Sequence, residues 1–318
     1  MEQDLFSVWD YAKMVACEPR TRPYVQALKR YVKPRSTVID IGAGTGFFSL
    51  LACQYGASRV IAIEPNDEIQ LAKEAAKDNG YDDRIEFYKG FSQDYAMDAK
   101  ADIIISDLRG AMPLYGAHIP AIIDARQRLL KPQGTLIPKR DVIHVALARV
   151  DEEYRICNSL RGPNQYGVDM SSSHKGAINS PRWFFSKPEH IVSDTQIFAD
   201  IKYETVESPN FVKKLSFAIQ ESGPANGLVM WFDAEIASGL SFSNAPTEPV
   251  RQYRSQFLPF ESELNLTPED RVEIKLSAQL IGGKYVWSWD TKLLKAGAAS
   301  VQSSFKQSSF MGGVWKSG

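Results

Sequence analysis

The sequence predicts a doubly wound, parallel α/β domain followed by a second, mostly β domain of barrel or sandwich type. Three observations carry this expectation. Strand-like and helix-like stretches alternate from residue 37 to residue 138, the order that gives a parallel sheet with helices on both faces. The first of these strands runs into a glycine-rich turn, Gly42-Ala43-Gly44-Thr45-Gly46, with helical spacing directly behind it. After Pro138 the helical spacing thins, and β-rich runs separated by Gly, Pro, Ser and Asn take over. The boundaries read from these changes are 1–138 for the first domain, 139–295 for the second with an irregular excursion at 151–185, and 296–318 for a small-residue, mobile tail.

In chain order, Ser7 suits the cap of a short helix through Trp9, Tyr11 and Met14. A second amphipathic helix spans 23–31 and ends before Lys33-Pro34. Thr37-Val38-Ile39-Asp40-Ile41 has the apolar, β-branched composition of a strand buried on both faces. The next strand, 60–63, ends in Glu64. Asn66 is placed to cap a helix over 68–78, closed by Asn79-Gly80. A third strand at 85–88 leads into Gly90-Phe91-Ser92-Gln93, and a fourth covers 101–106. Pro120 suits the first turn of a helix reaching Leu130, followed by a turn at 131–134 and a fifth strand at 135–137. Beyond them the clearest strands are 142–150, 228–236, 272–280 and 284–289.

The bulk numbers bound the function. A chain of 318 residues holds about two domains, and 44% hydrophobic content fills their cores. Lys+Arg is 37 against Asp+Glu 38, so no basic field gathers nucleic acid or an anionic membrane. No apolar run approaches the roughly 18 residues needed to span a bilayer, and the acidic start Met1-Glu2-Gln3-Asp4 is unlike a secretory leader. Cys17, Cys53 and Cys157 form no C-x-x-C pair, and His118, His144, His174 and His190 are scattered, so neither a disulfide framework nor a metal site is expected. A cytoplasmic, reducing location follows.

The glycine turn carries the chemistry. The dinucleotide fingerprint is G-x-G-x-x-G; here the glycines stand at 42, 44 and 46, and Phe47 holds the place of the third. Asp40 precedes the turn by two residues. Glu64, at the end of the next strand, is placed to accept two bonds from ribose hydroxyls. This pattern resembles motif I and the following acidic strand of Rossmann-like S-adenosylmethionine (SAM) methyltransferases. A nicotinamide-dependent oxidoreductase is the minor alternative; it predicts binding of NADH and not of SAM.

Further stretches resemble the protein arginine N-methyltransferases. Met14-x-x-x-Glu18-x-Arg20 is similar to that family's segment ahead of the sheet, and Asp102-Ile103-Ile104-Ile105-Ser106 to the strand leading to its catalytic loop. Tyr166-Gly167-Val168-Asp169-Met170-Ser171 is similar to its dimerisation arm, and Trp231-Phe232-Asp233 to a segment of its barrel. The resemblance spans roughly residues 10–290. It implies a homodimer through 151–185. It also implies SAM as cofactor and S-adenosyl-L-homocysteine as product. Arg20 would pair with the methionine carboxylate, a charge-assisted contact. Gly42 and Gly44 would pass under methionine and ribose, Glu64 would hold the ribose, and Phe91 and Ser92, with Gly90, would frame the adenine. Asp40, below the turn, is counted with this set.

At the acceptor end the sequence departs from the family. Its members carry Ser-Glu-x-x-Gly…Tyr-Glu, two glutamates that grip a guanidinium. Here the loop reads Ser106-Asp107-Leu108-Arg109-Gly110…Tyr115-Gly116. The spacing is kept, the first acid is one methylene shorter, the second is absent, and Arg109 adds a cation. The family's Thr-His-Trp loop is replaced by Arg251-Gln252-Tyr253-Arg254, and its tyrosine-bearing N-terminal helix is largely missing, with Trp9 and Tyr11 as partial replacements. Asp107 is the candidate for orienting or deprotonating the acceptor, with a loop cap or a partner for Arg109 as its structural alternative. Arg109 and Arg251 are candidates for holding an anionic part of the acceptor, or are solvated. Tyr115 and Tyr253 are wall or core residues, and His118 is a base if it faces the cleft. The expectation is a SAM-dependent methyltransferase acting on a nitrogen or oxygen of a small molecule or peptide other than a typical protein arginine. A SAM-binding scaffold without activity is the alternative.

Overall fold

A computed structural model describes residues 7–219, 221–248, 252–297 and 301–310. Two helices, α1 (Val8–Ala16) and α2 (Glu18–Tyr31), lead into β1 (Thr37–Ile41), α3 (Phe47–Gln54), β2 (Arg59–Glu64), α4 (Ile69–Asp78), β3 (Ile85–Lys89), β4 (Ala101–Ser106), α5 (His118–Arg128) and β5 (Leu130–Ile137). The five strands form one parallel sheet in the order β3-β2-β1-β4-β5. Its central strands bury Val38, Ile39, Ile41, Val60, Ile61, Ile63, Ile103, Ile104 and Ile105. Each such side chain contributes about 1.5–3 kcal/mol through burial. The strand order reverses between β1 and β4, and a crevice opens there beyond the carboxyl ends of the strands. Ile41 pairs with Ser106 on one side and Ile63 on the other, so Gly42, Asp107 and Glu64 all sit one residue past that line.

Helix α1 starts in a capping box: Asp10 N donates to Ser7 Oγ, and Ser7 N donates to the Asp10 carboxylate. Helix α2 begins at Glu18, five residues before the expected start. Pro19 is tolerated in the first turn, while Pro23 forfeits one i→i−4 bond. What offsets that loss is a buried stripe of Arg20, Tyr24, Ala27 and Leu28, one face of a helix. The stripe places Arg20 and Tyr24 one turn apart, both facing inward. Helix α4 lacks the expected Asn66 side-chain cap, α5 starts at His118, and the expected turn at 131–134 is present as a bulge inside β5, where Gln133 has a φ of 63° and the pairing with β4 jumps from Leu130 to Thr135.

The second half comprises β6 (Arg140–Ala148), α6 (Asp151–Asn158), α7 (Ser171–Ile178), β7 (Arg182–Phe184), β8 (Gln196–Lys202), β9 (Phe211–Ala218), β10 (Gly223–Ala237), β11 (Leu240–Ser243), β12 (Ser255–Leu266), β13 (Arg271–Ile281), β14 (Lys284–Leu294) and β15 (Val301–Ser308). Two antiparallel sheets result, β7-β12-β10-β6-β8 with β11 on β10, and β15-β14-β13-β9. The excursion at 151–185 supplies α6, α7 and β7. The tail expected to be mobile instead supplies strand β15 over 301–308; residues 298–300 and 311–318 lie outside the described ones. Alternation explains the strand: Phe305 and Gln307 point inward. Gln307 Oε1 accepts from Trp289 Nε1 at 3.0 Å and Glu261 N at 2.9 Å, and its amide nitrogen donates to Ile178 O at 2.9 Å.

The halves share one core, and α2 packs directly on β10 and β11. Strand β6 follows β5 after only Pro138 and Lys139, which brings Asp141 back under the crevice of the first sheet. Among the described residues, no helix is long and apolar enough to cross a membrane. No group of His, Cys, Asp or Glu among them is arranged to hold a metal ion.

Candidate active site

The nucleoside end of the crevice is built on the glycine turn. Gly42, Gly44 and Gly46 have φ values of 75°, 52° and 83°, a left-handed region that disfavours any side chain. Side chains also lie close: a Cβ at Gly42 would meet Leu108, and one at Gly44 the ring of Tyr11. Glu64, at the end of β2, is buried. Its two carboxylate oxygens accept Gly44 N at 2.9 Å and Asn66 N at 3.0 Å. Burial lifts its pKa, and those backbone donors oppose the rise. A carboxylate has about four acceptor positions, so two remain for a pair of ribose hydroxyls. Phe91 is 45% exposed, as an adenine platform requires.

Two further residues of the expected cofactor set, Asp40 and Ser92, are buried and bonded within the fold. Asp40 lies wholly beneath the turn, where its carboxylate accepts from Ser49 Oγ at 2.7 Å. Burial pushes its pKa up to about 7. Ser92 is buried, and its carbonyl accepts from Arg128 at 2.8 Å. The Ser92 hydroxyl lies 3.4 Å from Gln93 Oε1.

The other end is a chain of alternating charges. Arg20 is 4% exposed. Its Nε donates to Asp107 Oδ2 at 3.0 Å and to the Tyr253 hydroxyl at 3.1 Å, and its Nη1 donates to Met14 O at 3.2 Å. Tyr253 donates to the same Asp107 oxygen at 2.6 Å. Asp107 Oδ1 accepts from Arg109 Nη1 at 2.7 Å. Arg109 grips Asp141 with two donors, at 2.7 and 3.1 Å, and also donates to the Tyr24 hydroxyl. Tyr203 donates to Asp141 in turn. Burial alone would raise the Asp107 pKa, but the two guanidiniums and Tyr253 hold it well below the usual carboxylate range.

Arg109 is therefore neither solvated nor free to receive an acceptor anion. It is 0% exposed, with Asp107 of its own loop and Asp141 of β6 together neutralising the cation. Tyr115 lies over Gly110 of its own loop, half-buried. His118 does not face the crevice: its Nδ1 is 2.9 Å from Pro113 O, and the ring is buried beside Tyr203. Arg251 lies outside the described residues. The reading of the sequence missed Asp141, Tyr24 and Tyr203, and missed Tyr253 as a partner of Asp107. A signal existed: Asp141 is a lone acid opening an apolar strand, and Tyr24 stands one helical turn after Arg20.

A pH dependence follows from His118, whose pKa is pushed down to about 4 by burial and then by Arg109. An unfolded histidine titrates near about 6.5. Between those values the unfolded chain takes up a proton that the folded chain refuses. Stability therefore falls as pH drops from about 6.5 to 4, by up to about 3 kcal/mol. Asp40 acts oppositely, its contribution being present at low pH and lost as pH rises towards 7. Comparing His118→Gln with the wild type cancels that part. Relative to the wild type, the variant's urea midpoint is expected to rise as pH falls through this window; a difference that stays constant with pH contradicts the assignment.

The geometry agrees with the comparisons to known proteins. A family model described as "Ribosomal protein L11 methyltransferase (PrmA)" matches residues 18–154, and one described as "Arginine methyltransferase oligomerization subdomain" matches residues 139–280. The chain is 29% identical over 241 residues to probable protein arginine N-methyltransferase 6 of Arabidopsis thaliana, covering 73% of this chain but only 55% of that relative. It is 28% identical over 277 residues to protein arginine N-methyltransferase 1 of Chlamydomonas reinhardtii, covering 85% and 80%. In fold it is similar to Arabidopsis thaliana protein arginine methyltransferase 10, with TM-score 0.83, 21% identity and 95% and 97% coverage. It is also similar to a chain of the Trypanosoma brucei PRMT1 enzyme–prozyme heterotetrameric complex with AdoHcy, with TM-score 0.82, 22% identity and 94% and 96% coverage. These two likenesses speak to fold alone. With a methyltransferase model matching the first half, the arginine methyltransferase oligomerization subdomain matching the second and relatives aligned across both, the chain is similar to the protein arginine N-methyltransferases over most of its length.

Proposed function

We propose that the chain is a SAM-dependent methyltransferase whose acceptor is a nitrogen or oxygen nucleophile other than a typical protein arginine. One observation carries this reading: the single carboxylate left in the acceptor loop, Asp107, is already saturated by Arg20, Arg109 and Tyr253. Gly116 adds no second one.

The cofactor is SAM, which supplies an electrophilic methyl group on its sulfonium when bound. The residues fit it at the nucleoside end, where Glu64 keeps acceptor positions for the ribose, the glycine turn admits close backbone approach and Phe91 offers an exposed ring. At the amino-acid end Arg20 is the carboxylate partner, and Asp107 must yield a share of it. Tyr11 lies on Gly44 and has to leave the turn when the cofactor enters. The chain's own task is then to orient the nucleophile and exclude water. The share of Arg20 given up to the cofactor is what frees an Asp107 acceptor position to orient the nucleophile, and a carboxylate held this acidic is a poor base. A nitrogen with a free lone pair suits such a site better than a hydroxyl that must lose a proton.

A second reading, a SAM-binding partner without activity, is favoured by the closure of Asp107 and Arg20 on each other. Calorimetric titration with SAM, followed by incubation of methyl-labelled SAM with small amines, peptides and cell extract, separates the two. The expected result is SAM binding with label entering an acceptor. A Gly-Arg-rich peptide should react about 30-fold or more less efficiently than the best acceptor, since a lost buried charge pair is worth at least about 2 kcal/mol. Robust formation of methylarginine overturns the acceptor reading. SAM binding without transfer to any acceptor supports the silent partner, and NADH binding without SAM binding supports an oxidoreductase.

We further propose a homodimer through 151–185, where Tyr166 is 80% exposed and Val168 and Ile156 are each 52% exposed. Light scattering at micromolar concentration is expected to give about twice the 35.6 kDa of the chain. A monomer rejects it.

A further inference from the structure

Arg109 is among the largest side chains that the described molecule buries completely, and its surroundings form a closed cage. Two carboxylates, Asp107 and Asp141, and the Tyr24 hydroxyl take its donors in the plane. The rings of Phe242, Phe232 and Tyr24 lie 5.7, 5.9 and 5.9 Å from the guanidinium carbon. In-plane carboxylates with aromatic rings around them select a flat, delocalised cation over an ammonium. Phe242 also borders a cleft of about 400 Å³ between α2 and β11, whose walls carry Glu18, Arg22 and Glu248. The cage and a surface opening thus share a wall.

We infer that this cage is a guanidinium-binding site that the chain fills with its own Arg109, and that Arg109 is thereby the residue that keeps an acceptor guanidinium off Asp107. The second clause rests on the reading of Asp107 as the acceptor-facing carboxylate; the first does not. A guanidinium reaching Asp107 from the crevice meets a carboxylate with both oxygens taken and a like charge behind it. Asp141 is what makes the arrangement durable, because it balances Arg109 from the other domain and leaves Asp107 to balance Arg20.

Each clause has its own test. Arg109→Ala deletes the side chain beyond Cβ, and ethylguanidinium restores what was lost. Added at millimolar concentration without any cofactor, ethylguanidinium is expected to raise the melting temperature of Arg109→Ala by several degrees more than it does the wild type. Ethylammonium, which carries the charge without the fork, is expected to leave it unmoved. Equal shifts with the two cations overturn the cage.

The paired variant Arg109→Met with Asp141→Asn removes both charges at similar volume and keeps an acceptor for Tyr203, so it also serves if Arg109→Ala does not fold alone. It is expected to bind a Gly-Arg peptide about tenfold or more tightly than the wild type in the presence of S-adenosylhomocysteine, a gain of about 1.4 kcal/mol. Unchanged affinity overturns the exclusion. Because both readouts are binding, they fail or succeed separately from the wild-type transfer assay that judges the proposed function.

Discussion

Two cations and two anions alternate through the interior of this molecule, Arg20, Asp107, Arg109 and Asp141, and each end member faces only one opposite charge. Moving such groups out of water is costly, and the cost is recovered only when every charge is paired and every remaining donor satisfied. Here the chain sums to zero and is lined by the hydroxyls of Tyr24, Tyr203 and Tyr253. Removing one member strands its neighbour, so the four behave as one unit. The acceptor chemistry open to the site is set by this closure, because Asp107 has no oxygen left that is not already shared.

Three separate elements must converge for the unit to form. Helix α2 contributes Arg20 and Tyr24 from one buried stripe. The end of β4 contributes Asp107 and the loop behind it Arg109. The second half of the chain contributes Asp141 from β6 and Tyr253 from the segment ahead of β12. The contact between the two halves is therefore electrostatic at its centre as well as apolar around it. The nucleoside end depends on less. The glycine turn and Glu64 belong to one strand–turn–helix–strand unit and need nothing from the second half.

That difference governs how much could be read from the sequence. The parallel sheet, the turn and Glu64 were legible because local pattern dictates them: β-branched strands, glycines where φ is positive, an acid at a strand end. The change to a β architecture after Pro138 was legible for the same reason. Arg109 was read as an acceptor contact or a solvated cation, with Asp107 as its possible partner; its second partner, Asp141, lies 32 residues away, on a strand whose return under the crevice no local pattern announces. Strand β15 was misread as a mobile tail because its polar composition outweighed a weak alternation. It is a strand because it pairs along its length with β14 and turns Phe305 and Gln307 inward, where Gln307 meets the buried indole of Trp289. Helix α2 was begun too late, at Pro23, although burial of Arg20 and Tyr24 carries the helix from Glu18 through both prolines.

The state of the Asp107 carboxyl group is the most direct measure of this arrangement. Its carbon-13 resonance, assigned by its loss in Asp107→Asn, can be followed against pH in the intact protein. A carboxylate locked between two guanidiniums and a tyrosine hydroxyl is expected to stay ionised far below the ordinary aspartate value of about 3.9, down to the acid limit of the fold. Titration near that ordinary value would mean that Arg20 and Arg109 do not hold it, and the account of a closed acceptor carboxylate would be wrong.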